Sequence, residues 1–129
     1  MSLRATVQAP FMALIGPVAP ARLPDGGYEL SLQIEPRHAN ATGAAHGGLL
    51  ATLADLAIGN QLARASGLQP GITVSLAIDY LAPAGIGEVL TVRAHELRHG
   101  GRLGYGRAEL HAGGVEIATA NAWFSMRRL

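Results

Sequence analysis

Polar and apolar residues alternate in five segments of the chain. The first, GGYELSLQIEP, predicts a strand from about Tyr28 to Glu35. Four more follow from Gly71 onward, separated by the turn signals AGIG, GG and GG: ITVSLAIDYLAPA, EVLTVRAHELRH, RLGYGRAELHA and VEIATANAWFSMRR. One strand, a long apolar segment and four strands in meander-like succession predict an α+β fold, in which a single antiparallel sheet wraps around one long central helix.

The long apolar segment is AHGGLLATLADLAIGNQLA, residues 45–63. Its Leu, Ala and Ile content, without clustered β-branched residues, predicts a helix from His46 to about Ala65, and Gly67 is a typical stop signal. Because apolar positions surround the helix axis, we expect it to be buried on most sides. One face can pack on the sheet of the same chain, and a second copy of the chain is the expected cover for the other.

Length and composition limit the possible functions. At 129 residues we expect one domain, with an N-terminal extension over residues 1–27 and a core over residues 28–129. A net charge of +1 and 5% aromatic residues give no basis for binding nucleic acid. The absence of cysteine excludes disulfides and thiolate chemistry. The sequence shows no signal peptide or membrane span, so we expect a cytoplasmic protein that does not bind membranes.

Asp55 is the single charged residue of the apolar segment when His46 is neutral. Burial of an isolated carboxylate costs several kcal/mol, so the acid requires an explanation. The nearest cation on the helix, Arg64, is nine residues away and out of phase with it. Two interpretations stay open: a structural acid satisfied by hydroxyl groups, or an active-site acid, since perturbed carboxylates concentrate at such sites.

His46-Gly47-Gly48 opens the predicted helix, where free backbone N–H groups and the helix dipole favour a developing negative charge. Close packing of the helix against the sheet is the structural alternative for the two glycines. Gly47 and Asp55 are eight positions apart, so ~12 Å separates them along one helix. A reacting carbonyl lies about 3 Å from both its oxyanion donor and the attacking group. The spacing therefore predicts a site between two antiparallel helices of a homodimer.

The segment HELRH, residues 95–99, matches the HExxH pattern of zinc hydrolases, in which the two histidines share one face of a helix. Here the neighbouring residues predict a strand, on which His95 and His99 would be ~13 Å apart, too far to share one zinc ion. We therefore expect no metal site, and a zinc hydrolase using His95, Glu96 and His99 is kept only as an alternative. Arg98 and Arg102 flank a glycine-rich hairpin and are either phosphate contacts or solvated surface residues.

The segment NATGAAHGGLLATLAD, followed by ITVSLAIDYLAPAGIGEVLTVRA and a final apolar strand, resembles hotdog-fold acyl-CoA thioesterases of the phenylacetic-acid-degradation (PaaI-like) type. The family pattern is approximately N-x-x-G-x-x-H-G-G, an acid eight residues past the first glycine of HGG, and a strand ending in YL-x-PA. All of these features are present in order, and the similarity runs from about Tyr28 to Phe124.

The resemblance implies a hotdog fold and hydrolysis of an acyl-CoA or aryl-CoA thioester, without a metal or cofactor. By matching position, Asp55 is the general base or nucleophile, and the Gly47 N–H stabilises the thioester oxygen as it gains charge. Asn40 orients water or substrate, His46 lies beside the thioester, and Thr73 positions the water. A non-catalytic acyl-CoA-binding or regulatory protein on the same fold is the alternative.

The resemblance also implies an active site between two subunits of a homodimer, with dimers that often pair into tetramers. We expect Gly48 and the apolar side chains of the helix to line the substrate pocket; these are Leu49, Leu53 and Ile58. Arg98, Arg102 or Arg127 are candidates for contact with the CoA phosphates. The acyl group itself is not fixed by any of these residues.

Overall fold

A computed structural model describes residues 6–68 and 71–126. The elements in chain order are helix α1 (Pro10–Ile15), strands β1 (Ala19–Arg22) and β2 (Tyr28–Gln33), a 3-10 turn (Pro36–His38), helix α2 (Gly47–Ser66), and strands β3 (Thr73–Tyr80), β4 (Val89–Gly100), β5 (Leu103–Ala112) and β6 (Val115–Ser125). Among the described residues, no helix is both long and apolar enough to cross a membrane.

The strands form one six-stranded antiparallel sheet in the order β1-β2-β4-β5-β6-β3, and α2 packs across it in contact with β2 to β6. The prediction of a single antiparallel sheet around one long helix is confirmed. The prediction that the last four strands follow one another as a meander is correct for β4, β5 and β6 only. β3 pairs with β6 at the sheet edge, because residues 81–88 form a crossover to β4. The turn signal AGIG does not distinguish a crossover from a hairpin.

Helix α2 begins and ends within one residue of the predicted limits. The His46 side chain caps its N-terminus by accepting a hydrogen bond from the Gly48 N–H. At the other end Gly67 has a φ of 72°, the left-handed conformation that glycine adopts without strain, and its N–H binds the Ala63 carbonyl. The helix boundaries are therefore set by the local chemistry of these two residues.

Small residues on β5 and β6 let α2 approach the sheet closely. The buried, inward positions of β5 alternate with partly buried ones and include Gly104, Gly106 and Ala108. A Cβ atom on Gly106 would lie 2.9 Å from the Ile58 Cγ2 atom, closer than such atoms approach in proteins. Ile58 is consequently fully buried between the helix and the sheet. At the glycines of β5 the helix packs directly against the strand backbone, and this close packing fixes its position.

A β-bulge in β4 changes which residues of the strand face the helix. Between His95 and Arg98, β4 advances three residues while β5 advances two, and Glu96 has a φ of 54°. Upstream of the bulge the even-numbered residues Leu90 and Val92 are buried, whereas downstream Leu97 packs on the core. The bulge thus keeps the Glu96 carboxylate in solvent and places an apolar side chain inside.

Residues before the first predicted strand add a short edge strand that the sequence did not reveal. β1, with the sequence APAR, pairs with β2 from Ala19↔Ser31 to Arg22↔Tyr28, and all four of its residues are exposed. Four residues containing a proline give almost no strand signal, although proline is acceptable at a sheet edge. The buried His38 ring connects the end of α1 to the core, since the His38 Nε2 atom lies 2.6 Å from the Ile15 carbonyl oxygen.

We predict that Ile58→Ala lowers the free energy of unfolding by about 2–5 kcal/mol, because it removes a fully buried side chain at the point where the helix meets the sheet. Urea-induced unfolding followed by circular dichroism measures the change. The matched control is Ile86→Ala in the crossover, where the side chain is 48% exposed. The control should change the stability by less than about 0.5 kcal/mol. An equal loss in both variants would contradict the central position of Ile58.

Candidate active site

The loop before α2 is organised by the side chain of Asn40. Its Oδ1 atom accepts hydrogen bonds from the Thr42 N–H at 2.9 Å, the Thr42 hydroxyl at 2.7 Å and the Ala44 N–H at 3.2 Å. The Asn40 N–H in turn binds the Ala44 carbonyl at 2.7 Å. Because Oδ1 is fully used in the loop, the Asn40 side chain can offer a substrate only its amide N–H groups.

The first turn of α2 leaves one backbone donor free. The Gly48 N–H binds the His46 Nδ1 atom at 2.9 Å, while the Leu49 and Leu50 N–H groups bind the His46 carbonyl at 3.0 and 3.4 Å. In the part of the chain that the structure describes, the Gly47 N–H has no acceptor. Of the four N–H groups that begin the helix, Gly47 alone is therefore available to an external oxygen.

His46 presents the opposite nitrogen to solvent. Its Nδ1 atom accepts a hydrogen bond, so the proton of the neutral ring is on Nε2. The residue is exposed and borders the same space as Gly47. The imidazole thus has a second ring nitrogen that can act as a donor in the groove that Gly47 also lines.

An open groove of about 640 Å³ lies in front of these groups. It brings together four of the predicted site residues, Asn40, His46, Gly47 and Gly48. Its other lining residues come from the same loop, from α2, and from the end of β3 with the segment that follows it: Thr42, Ala44, Ala45, Leu50, Tyr80, Leu81, Ala82, Pro83 and Ala84. The start of the helix therefore opens on a cleft with an apolar wall and several donors.

Tyr80 and Leu81 are members of this wall that the sequence did not identify as site residues. They are 53% and 57% exposed, which is unusual for large apolar side chains. The YL pair was visible at the end of a predicted strand, but its position beside the helix start depends on the pairing of β3 with β6.

Asp55 and Thr73 meet at a second location. The Thr73 hydroxyl, at the start of β3, donates to the Asp55 Oδ1 atom at 2.7 Å. Within the described residues the Oδ2 atom makes no hydrogen bond, so half of the carboxylate is free. Asp55 is half-buried in the single chain, not fully buried as the apolar sequence suggested, because β3 covers only one side of α2 at this point. Both interpretations of the acid are consistent with this contact.

The two groups of predicted residues are separate within one chain. Neither Asp55 nor Thr73 lines the groove in front of Gly47. The helical spacing of eight residues corresponds to about 12 Å along the axis. A single copy of the chain thus contains both halves of a potential site but does not join them.

Several expected pocket residues lie elsewhere. Leu49, Leu53 and Ile58 are in the hydrophobic core and do not line the groove, whereas Leu50, which is also buried in the core, does. Because α2 is apolar on all sides, the sequence could not tell which of its leucines faces the cleft.

The basic residues lie apart from the groove. Arg98 is exposed on β4, paired with Tyr105, and Arg102 is exposed in the following turn. Neither belongs to the groove lining. Arg127 lies outside the described residues.

The HELRH segment is in β4, as predicted. His95 there faces the carboxylates of Glu96 and Glu109, at 3.8 and 3.4 Å. The helical arrangement that brings the two histidines of HExxH to one zinc ion is not formed. The strand prediction is confirmed, and it removes the geometric basis of the zinc hydrolase alternative.

Comparisons with known proteins agree with this architecture. The thioesterase superfamily model matches residues 42–119. Human acyl-coenzyme A thioesterase 13 is 32% identical over 100 residues, which cover 78% of this chain and 71% of that protein.

Solved structures are similar over almost the whole chain. Zebra fish thioesterase superfamily member 2 has a TM-score of 0.85 at 27% identity, covering 96% of this chain and 92% of that chain. A mutant of the phenylacetic acid degradation protein PaaI from Thermus thermophilus has a TM-score of 0.77 at 30% identity, covering 92% of this chain and 98% of that chain. The sheet and central helix are thus those of the hotdog fold, and the chain belongs to the thioesterase superfamily.

Proposed function

We propose that the protein hydrolyses acyl-CoA or aryl-CoA thioesters at two equivalent sites, each formed between two copies of the chain. One observation carries this proposal. The same helix offers a free Gly47 N–H at its start and, eight residues later, an Asp55 carboxylate held by Thr73. An oxyanion donor and a base are the two groups that thioester hydrolysis requires, since the thiolate is a good leaving group.

Two copies related by a two-fold axis, with their α2 helices antiparallel, bring the two halves together. The half-buried residues Ala51 and Thr52 lie one turn before Asp55 on α2 and are free to face such a partner. β3 is an edge strand of the sheet, and Ile72 and Val74 on either side of Thr73 are 69% and 61% exposed. Large apolar side chains along an unpaired edge are typical of a subunit interface.

In the proposed reaction, Asp55 of one copy accepts a proton from water while the water oxygen bonds to the thioester carbon. Gly47 N–H of the other copy donates to the carbonyl oxygen as it becomes negative. The carbon–sulfur bond of the tetrahedral intermediate then breaks, and the Asp55 carboxyl returns the proton to the CoA thiolate. The products are the free acid and CoA. Direct attack by Asp55 on the thioester, followed by hydrolysis of the anhydride, uses the same two groups and stays an alternative.

Each group has a defined physical contribution. The Thr73 hydroxyl fixes one oxygen of the Asp55 carboxylate and leaves the other to accept the proton. One backbone oxyanion donor contributes about 3 kcal/mol to lowering the barrier, and the dipole of α2 adds to this at the same end of the helix. Tyr80 and Leu81 supply an apolar wall for the acyl or aryl group. A CoA thioester is the proposed substrate, in line with the acyl-coenzyme A thioesterase among the relatives.

We predict that Asp55→Asn lowers kcat/KM for CoA release by about 10²–10⁴-fold, because the amide cannot accept the proton from water. The measurement is thiol release from a panel of acyl-CoA and aryl-CoA substrates. Asp79→Asn is the matched control, since Asp79 is an exposed residue of β3 that does not line the groove. The control should retain full activity, and circular dichroism verifies that both variants are folded. Asp55→Asn activity within threefold of wild type would reject the proposed chemistry.

We further predict that two inactive variants restore activity when combined. Asp55→Ala removes the base, and Gly47→Ala places a methyl group 3.0 Å from the Tyr80 ring and disrupts the donor. If each site takes Asp55 from one copy and Gly47 from the other, a randomly assembled equal mixture has about a quarter of its sites intact.

The variants are co-expressed or refolded together, and thiol release is compared with that of each variant alone. A quarter of the wild-type rate is the expected result. If both groups of a site came from one chain, every site in the mixture would lack one of them. The mixture would then stay as inactive as its components, which would contradict the shared site.

A further inference from the structure

We propose that Tyr80 is a positioning residue of this active site, which holds the Gly47–Gly48 peptide in place and thereby orients the free Gly47 N–H. This inference rests on the proposed function, because it gives Gly47 the role of oxyanion donor. Tyr80 is the last residue of β3, and its hydroxyl donates a hydrogen bond to the Gly47 carbonyl at 2.8 Å. With 53% of its surface exposed, Tyr80 is not a core residue whose position burial alone would explain.

The peptide between Gly47 and Gly48 is held at both ends by side chains. Its N–H, which belongs to Gly48, binds the His46 Nδ1 atom at 2.9 Å, and its carbonyl oxygen accepts the Tyr80 hydroxyl. The two side chains come from different elements, the loop before α2 and the end of β3. Rotation of this peptide therefore breaks at least one hydrogen bond, which restrains the ψ angle of Gly47. The Gly47 N–H belongs to the preceding peptide, whose carbonyl accepts from the Leu49 and Leu50 N–H groups, so the restraints on the two peptides together orient the free donor.

Two consecutive glycines make such a restraint necessary. Glycine has the largest backbone freedom of all residues, so a helix that starts with Gly-Gly is poorly ordered without external contacts. Catalytic donors act by being oriented before the reaction, and an unrestrained N–H would lose part of its effect. The hydrogen bond from the Tyr80 hydroxyl restricts the backbone freedom that the two glycines would otherwise have.

The ring of Tyr80 also explains why residue 47 is glycine. A Cβ atom there would lie 3.0 Å from both the Tyr80 Cζ atom and the hydroxyl oxygen, and 3.2 Å from Cε1. The ring thus occupies the space that a side chain of residue 47 would need. It contacts the helix start directly and forms the groove wall beside the free donor.

The test is Tyr80→Phe, which keeps the ring and removes the hydroxyl. We expect kcat to fall about tenfold with KM within twofold of wild type, since orientation of the donor matters most in the transition state. Amide hydrogen exchange measured by NMR gives a readout independent of activity, and the Gly48 N–H should exchange at least fivefold faster. Tyr105→Phe is the control, because the Tyr105 ring packs on Trp123 outside the groove. It should leave both kcat and Gly48 exchange unchanged.

A steric test uses the unfolding stability of a double variant. Gly47→Ala should destabilise the protein through its contact with the Tyr80 ring, and Tyr80→Ala should remove most of that loss when combined with it. If the double variant lost as much stability as the two single variants summed, the proposed contact would be overturned. These measurements need no substrate.

Each outcome of the kinetic test is decisive. Unchanged kcat in Tyr80→Phe, a rise of KM alone, or a fall in kcat without faster Gly48 exchange would each overturn the positioning role. Failure of the proposed function gives a different result. The Asp55→Asn variant would then remain active, whatever the exchange rate of the Gly48 N–H. If Asp55→Asn is inactive while Tyr80→Phe behaves as wild type, only the inference on Tyr80 is rejected.

Discussion

The fixed rise of an α-helix is the constraint on which the arrangement of the site depends. Because Gly47 and Asp55 are eight residues apart on one helix, about 12 Å of rigid backbone keeps their groups from converging on one atom. Strand β3 adds to this rigidity, since its first residue, Thr73, binds Asp55 and its last residue, Tyr80, binds the Gly47 carbonyl. Each end of β3 thus holds one half of the proposed site, and the rigid helix keeps the two halves apart within one chain.

The sheet supports this arrangement by presenting little side-chain volume under the helix. Buried glycine and alanine residues alternate with partly buried ones along much of β5 and from Ala118 to Ala122 on β6, so α2 approaches the strands closely and its apolar residues fill the gap. Asp55 lies where the start of β3 meets α2, half-buried, with one carboxylate oxygen bound by Thr73 and the other unpaired within the described residues. A carboxylate in such a position is accessible to water and to a partner, which is what a general base requires.

Local sequence patterns predicted most of the helices and strands, but they could not predict which elements pair with each other across the fold. The ends of α2 follow from His46 and Gly67, which act through neighbouring backbone groups. The place of β3 beside β6 was not predictable, because a turn signal carries no information on which strand the chain joins next. For the same reason the contact of Tyr80 with Gly47, 33 residues away, was missed. The family resemblance implied that Thr73 positions the water, but the contact of Thr73 with Asp55 was not predicted, because spacing along the chain does not reveal it.

The rows of glycine and alanine beneath α2 restrict where this enzyme can acquire a new substrate preference. Gly104 and Gly106 do not line the groove, and even a methyl group there would collide with Leu62, Met126, Ile58 or Leu97. Enlarging these residues would therefore disturb the packing beneath α2 without reshaping the groove. Among the residues that line the groove, Leu50 and Ala84 are buried in the core and Tyr80 binds Gly47. Variation that preserves folding is therefore expected chiefly at the exposed residues Leu81 and Pro83. Libraries aimed at the acyl selectivity of the proposed site belong at these exposed positions, with the glycine and alanine rows held constant.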